Sequence, residues 1–261
     1  MTLSRKNGSI IGGWTDPTVS GASGIWDLDD ANLLVQQSKW PGLVAEYYDA
    51  LTSTSGLPSF LARYATANKS LSSSWIGYTT NGFYITGDTT HPANGYPVRT
   101  NINIPGSHGF KLRVSIYRNE RCDDHGFCIF RGGVTPQWHW GVNSTRWAVQ
   151  NNCAQPYVYP PSGSAAASGV NLNPTSGTTG AQWYSVEIYM PTSTSSISVK
   201  YYSGYNTFTG TPTITMSSSN PFSSLSITSS STYNIGFDAD QDGSSYQPKF
   251  KEMTITHGAN I

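Results

Sequence analysis

The chain has 261 residues, room for one large β-domain or two small ones, and only 11% of them are charged. Fifteen Lys and Arg balance fifteen Asp and Glu, with no basic cluster along the chain, so the electrostatic footprint of a nucleic-acid binder is missing. No run approaches the roughly 18 apolar residues of a membrane span, and the start MTLSRKNGSIIGGW lacks an apolar stretch of signal-peptide length. A product of the cytosol without Sec export is expected, and its abundance of Ser, Thr, Gly, Asn and aromatic residues suits an extracellular β-protein. Those two expectations meet in a virion component, which leaves its host by lysis.

The first seventy or so residues differ from the rest. Residues 29 to 39 carry acids in front, apolar residues at 31, 33, 34 and 35, and Lys39 before a Trp40-Pro41 stop, which predicts a short helix. A second helix is expected from Pro58 to Lys69, where Phe60, Leu61 and Tyr64 fall at helical spacing. We therefore expect a partly helical arm over residues 1 to 73 and a β-domain over residues 74 to 261.

From Ser74 onward the chain becomes short aromatic and β-branched segments separated by turn residues: WIGYTT, GFYIT, PVRTNINI, FKLRVSIYR, FCIFRG, QWHWGV, RWAVQN, WYSVEIYM, ISVKYY, TITM, YNIGF and FKEMTIT. A dozen strands without intervening helices imply antiparallel pairing in a sandwich or barrel. Two hairpins are predicted, one turning at Asp123-Asp124-His125-Gly126 and one at Asn143-Ser144-Thr145. Alternation places Tyr184, Val186, Ile188 and Met190 in the core with Trp183, Ser185, Glu187 and Tyr189 opposite. In the last strand Met253 and Ile255 are expected on one face, with Phe250, Glu252, Thr254 and Thr256 on the other. Residues 160 to 180 and 217 to 232 read as loops.

Several clusters could carry chemistry. Trp138, His139, Trp140, Arg146 and Trp147 concentrate aromatics and donors in one hairpin, a combination that can stack and hydrogen-bond a sugar; a core role for one Trp face competes. Asp238, Asp240 and Asp242, followed by Gly243, have the alternation of a calcium loop. Lys249 stands where an EF-hand needs its glutamate, which leaves a looser Ca²⁺ site or a plain Asp/Gly hairpin turn. No other cofactor is expected. Cys122, Asp123, Asp124, His125 and Cys128 hold zinc-ligand types, without a second pair of ligands other than Cys153. Reduced thiols are the default, and a Cys122–Cys128 bridge is the alternative. The four glutamates, Glu46, Glu120, Glu187 and Glu252, are far apart in sequence, so a hydrolase would need Glu187 and Glu252 on neighbouring strands.

Two stretches carry a family resemblance. GFKLRVSIYR through HGFCIFRGG to WHWGVNSTRWAVQ resembles the opening strands of laminin-G-like domains, and AQWYSVEIYMPTSTSSISVKYY with YNIGFDADQDGSSYQPKFKEMTIT resembles their closing elements. The resemblance covers roughly residues 75 to 257 and implies an all-β, antiparallel jelly-roll-type β-sandwich of the concanavalin A/laminin-G type. Separately, Ser23-Gly24-Ile25-Trp26-Asp27-Leu28 with Trp40-Pro41 is similar to a segment of tailed-phage structural proteins, including those of cyanobacterial hosts. It implies virion anchoring through Trp26, Leu28, Leu33, Leu34 and Trp40, large apolar groups around a helix too short to be stable alone.

The expected function is a non-enzymatic virion structural protein, head decoration or tail fibre, whose lectin-like domain binds host-surface glycans. Its expected partners are other virion proteins and, by analogy, further copies of itself in a trimer. A free-standing glycan-binding protein and a glycoside hydrolase of the same fold are the alternatives.

Overall fold

The computed structural model describes residues 44–64, 76–85, 96–118, 123–136, 144–152, 155–170, 172, 182–192, 196–241, 248–259 and 261. They form two antiparallel sheets packed face to face. The first runs β14 (Ile214–Ser219), β13 (Ser196–Ser203), β12 (Gln182–Met190), β7 (Gly109–Arg118), β16 (Lys249–Gly258), β4 (Gly82–Ile85), β3 (Ile76–Thr79). β1 (Val44–Asp49) lies end to end with β4 along the same edge of β16. The second runs β11 (Ala166–Ala167), β10 (Gln155–Tyr159), β9 (Trp147–Asn152), β8 (Asp123–Arg131), β15 (Thr232–Gln241), β5 (Val98–Thr100), β2 (Leu61–Arg63). β6 (Ile104–Pro105) shares with β5 one edge of β15.

Strand alternation builds the core. Phe110, Leu112, Val114 and Ile116 of β7 and Tyr184, Val186, Ile188 and Met190 of β12 face Phe127 and Ile129 of β8 and Tyr233, Ile235 and Phe237 of β15. Phe127 meets Phe237 and, across the sandwich, Phe250 edge to face, with ring centroids 5.8 and 6.0 Å apart, in the arrangement aromatic quadrupoles favour. A β-bulge between Lys251 and Thr254 puts Glu252 at φ 51° and rephases β16. Phe250 therefore shares the core face with Met253 and Ile255, against the simple alternation expected for this strand.

Other local expectations are overturned. Instead of a helix from Pro58 to Lys69, the Leu61 N–H donates to the Pro58 carbonyl in a turn and Leu61–Arg63 pairs with β5. β1 and β2 are thus members of the two sheets, so the sandwich already includes Val44 and does not begin at residue 74. Asp123 to Gly126 are no hairpin turn: they belong to β8, which lies in the opposite sheet from β7. The two edges of β9, which includes most of RWAVQN, are occupied by β8 and β10. Asp238 to Gln241 continue β15 where a turn was expected. The helix expected over residues 29 to 39, and QWHWGV at residues 137 to 142, lie outside the described residues.

Candidate functional site

The outer face of the second sheet is not left to water. Tyr96, Cys128, Phe130, Ala148 and Tyr159 form a separate apolar cluster there. Gly236 makes it possible: a Cβ on this residue would stand 2.7 Å from Cys128 Sγ and from Tyr96 Cβ, so only glycine lets Tyr96 lie on the strand. Polar side chains are buried in the same layer. Gln150 Nε2 donates to Tyr96 Oη at 3.1 Å, the Arg146 guanidinium lies 5.9 Å from the Tyr96 ring centre, and Asp238 is buried close by. Burial pushes the Cys128 thiol far above its ordinary pKa, against the pull of Arg146 and Arg99, and so keeps it protonated and unreactive.

Beside this layer a cavity of about 400 Å³ opens, lined by Tyr64, Arg99, Asn101, Asn103, Thr135 and Asn234 together with Phe130 and Thr100. Its wall follows from one irregularity. β5 and β6 both pair with β15, and residues 101 to 103 bow out between them. Asn234 fills the break in the ladder, its Nδ2 donating to the Thr100 and Ile102 carbonyls at 3.2 and 2.9 Å, while the Ile235 N–H donates to Thr100 Oγ1. Asn101 is fixed from the other side, its N–H donating to the Phe60 carbonyl and its Nδ2 to the Ser59 carbonyl. The turn in which the Val134 N–H donates to the Arg131 carbonyl, with Gly133 at φ 80°, supplies the opposite rim.

Arg99 is the one charged group in the described lining. Its Nε donates to the Tyr96 carbonyl at 2.8 Å, and its guanidinium sits 4.7 Å from the ring centre of the surface residue Tyr64 and 5.3 Å from that of buried Phe130. Nη2 is buried without a hydrogen-bond partner. Burial pulls its pKa below the usual arginine value.

The outer face of the first sheet carries a different constellation. Glu252, aimed outward by the bulge, accepts hydrogen bonds from Tyr48 Oη and Tyr205 Oη, and Tyr205 packs edge-on against Trp183 at 4.7 Å. Glu187 is held by Arg113 at 2.7 Å, with Lys200 at 3.8 Å. β7 separates β12 from β16, so Glu187 and Glu252 are not on neighbouring strands, and each is engaged by its own partners.

The residues singled out in sequence are dispersed. Trp147 is wholly buried in the core, its Nε1 donating to Ser218 Oγ at 2.7 Å, and so offers no face to a sugar; Arg146 is buried in the layer beneath Tyr96. Trp138, His139 and Trp140 lie outside the described residues, as do Asp242, Trp26, Leu28, Leu33, Leu34 and Trp40. Asp238 and Asp240 occupy alternate positions of β15, opposite Gly126 and Asp124. Among the described residues no three His, Cys, Asp or Glu side chains converge as a metal site. His125 and Cys128 point to opposite faces of β8, with His125 packed near the Phe127 and Tyr201 rings, so these two cannot share a zinc ion. Arg99, Asn101, Asn103 and Asn234 were not anticipated. The available signals were a single arginine inside an otherwise neutral strand and an asparagine opposite Tyr233 and Ile235 in the alternation of β15.

No family model and no curated protein matches this chain. Solved structures similar to it include lectin II from Ulex europaeus, at TM-score 0.55 and 9% identity over 83% of this chain and 99% of that one. Winged bean acidic lectin complexed with methyl-α-D-galactose gives 0.53 and 13% over 82% and 98%. Lectin I-B4 from Griffonia simplicifolia gives 0.55 and 8% over 82% and 99%. At such identities the likeness is one of fold: the two sheets form a β-sandwich of the legume-lectin, concanavalin A-like type.

Proposed function

We propose that this chain is a non-enzymatic glycan-binding protein of a tailed-phage virion. The cavity beside β5 and β15 carries the reading. Asn101, Asn103, Asn234 and Thr135 supply amides and a hydroxyl beside the rings of Tyr64 and Phe130, the mixture of polar groups and apolar surface that suits a sugar. The lectin-type fold supports the same reading, and the separate engagement of Glu187 and Glu252 argues against hydrolysis. Virion attachment is supported by the similarity of Ser23 to Leu28 and Trp40-Pro41 to phage structural proteins; other capsid or tail proteins are the partners it implies, and assembly into a homo-oligomer would multiply weak sugar contacts.

A glycan array probed with the whole protein tests the binding. A set of bound glycans that is lost in Asn103→Ala supports it, whereas a blank array, or binding indifferent to Asn103→Ala, overturns it. The attachment is tested by complementing particles with a chain lacking residues 1 to 40; undiminished incorporation would refute it.

A further inference from the structure

We infer that the cavity beside β5 takes an acidic sugar residue, whose carboxylate is received by the guanidinium of Arg99. The inference rests on the glycan-binding reading above and names the class of sugar. A guanidinium has five N–H donors and cannot shed its proton in a protein. Arg99 is only 5% exposed and has no ion pair among the described residues, and its Nη2 is buried without a hydrogen-bond partner there. No Asp or Glu appears among the described residues that line the cavity. A buried cation without a counter-ion or a full set of acceptors is costly, and its persistence calls for an explanation. Arg113 of the first sheet, although 39% exposed, does have a counter-ion, Glu187 at 2.7 Å.

Geometry says where the missing charge belongs. The Nε bond to the Tyr96 carbonyl fixes the root of the fork, and buried Phe130 backs one face of its plane. The second ring over the guanidinium among the described residues is that of Tyr64, which is 36% exposed. Rotation of Tyr64 opens the fork to the cavity, and two parallel N–H···O bonds to a carboxylate satisfy Nη2 while neutralising the charge. The amides of Asn101 and Asn103 and the hydroxyl of Thr135 then meet ring hydroxyls of the same sugar. Uronic acids and sialic acids have this chemistry; a neutral hexose leaves the cation uncompensated.

Calorimetric titration of the intact protein with three matched oligosaccharides tests this: one bearing a uronic or sialic acid, the same compound with the carboxylate reduced to an alcohol, and a sulfated analogue. The acidic compound should bind at least tenfold more tightly than its reduced form, and Arg99→Gln should abolish that difference. Equal binding of the acidic and reduced compounds overturns the inference and leaves the glycan reading standing. Binding of the sulfated analogue alone overturns the carboxylate assignment. If the array above and all three compounds are blank, the glycan reading fails as well. The acidic-versus-reduced comparison uses unaltered protein, so it decides the matter even where Arg99→Gln does not fold.

Discussion

His108 and His257 face each other with their Nδ1 atoms 3.0 Å apart, so one ring donates and the other accepts. Tyr47 of β1 stacks on His257 at 5.9 Å. Burial, and the neighbouring His108, push the pKa of His257 down to about 4, while the unfolded imidazole titrates near ~6.5. Between these values the unfolded chain binds the extra proton, so stability is complete above about pH 6.5 and declines as the pH falls toward 4, by about 3 kcal/mol. Urea denaturation at pH 7.5 and pH 4.5 should show this drop, and His257→Gln should flatten it; an unchanged pH slope in that variant would remove the pair from the account. A second residue is decided by space alone. Gly236→Ala drives a methyl into Cys128 and Tyr96, both buried and tightly packed, for a cost of about 2–3 kcal/mol. Because the Tyr96 carbonyl anchors Arg99 Nε, the same change should weaken sugar binding, a joint loss that denaturation and calorimetry can read separately.

Elements explain why an apparent N-terminal arm is part of the sandwich. β1 covers the edge of β16 from Met253 to Gly258, and β2 extends the second sheet beyond β5, while Leu51, Phe60 and Leu61 are buried in the core. Deleting residues 1 to 73 uncovers a sheet edge and removes three core side chains, so the product should aggregate on expression; a monomeric, cooperatively folding fragment would contradict the assignment of β1 and β2. The difficulty of seeing this in sequence is physical. β2 has three residues, too few for a period, and Phe60 and Leu61 are adjacent, which fits a helix as well as a turn running into a strand. Long strands were legible: the inward face of β12 follows from alternation alone. Pairing was not, because turn residues such as Asp123 to Gly126 look alike whether a chain folds back or crosses to the other sheet. The bulge at Glu252 was equally hidden, since an extra residue leaves no mark on composition. The cavity depends on those unseen pairings, as Arg99 comes from β5, Phe130 from β8 and Asn234 from β15.

At the scale of the molecule, fifteen positive and fifteen negative residues leave no net charge to draw an anionic polymer from a distance. Attraction to an acidic glycan therefore arises at the cavity, where a single guanidinium faces the ligand from a site shielded on one side by Phe130. Screening by salt acts on exposed charges beyond about 8 Å at physiological ionic strength and much less on a contact pair in a buried site. Association should accordingly be unassisted and its rate nearly constant between 50 mM and 500 mM salt, with specificity expressed in the rate of dissociation. Stopped-flow binding of an acidic oligosaccharide across that range checks this. A steep fall of the association rate with salt would point to capture by a dispersed basic surface, which the balanced charges of this chain do not provide, and would move recognition away from Arg99.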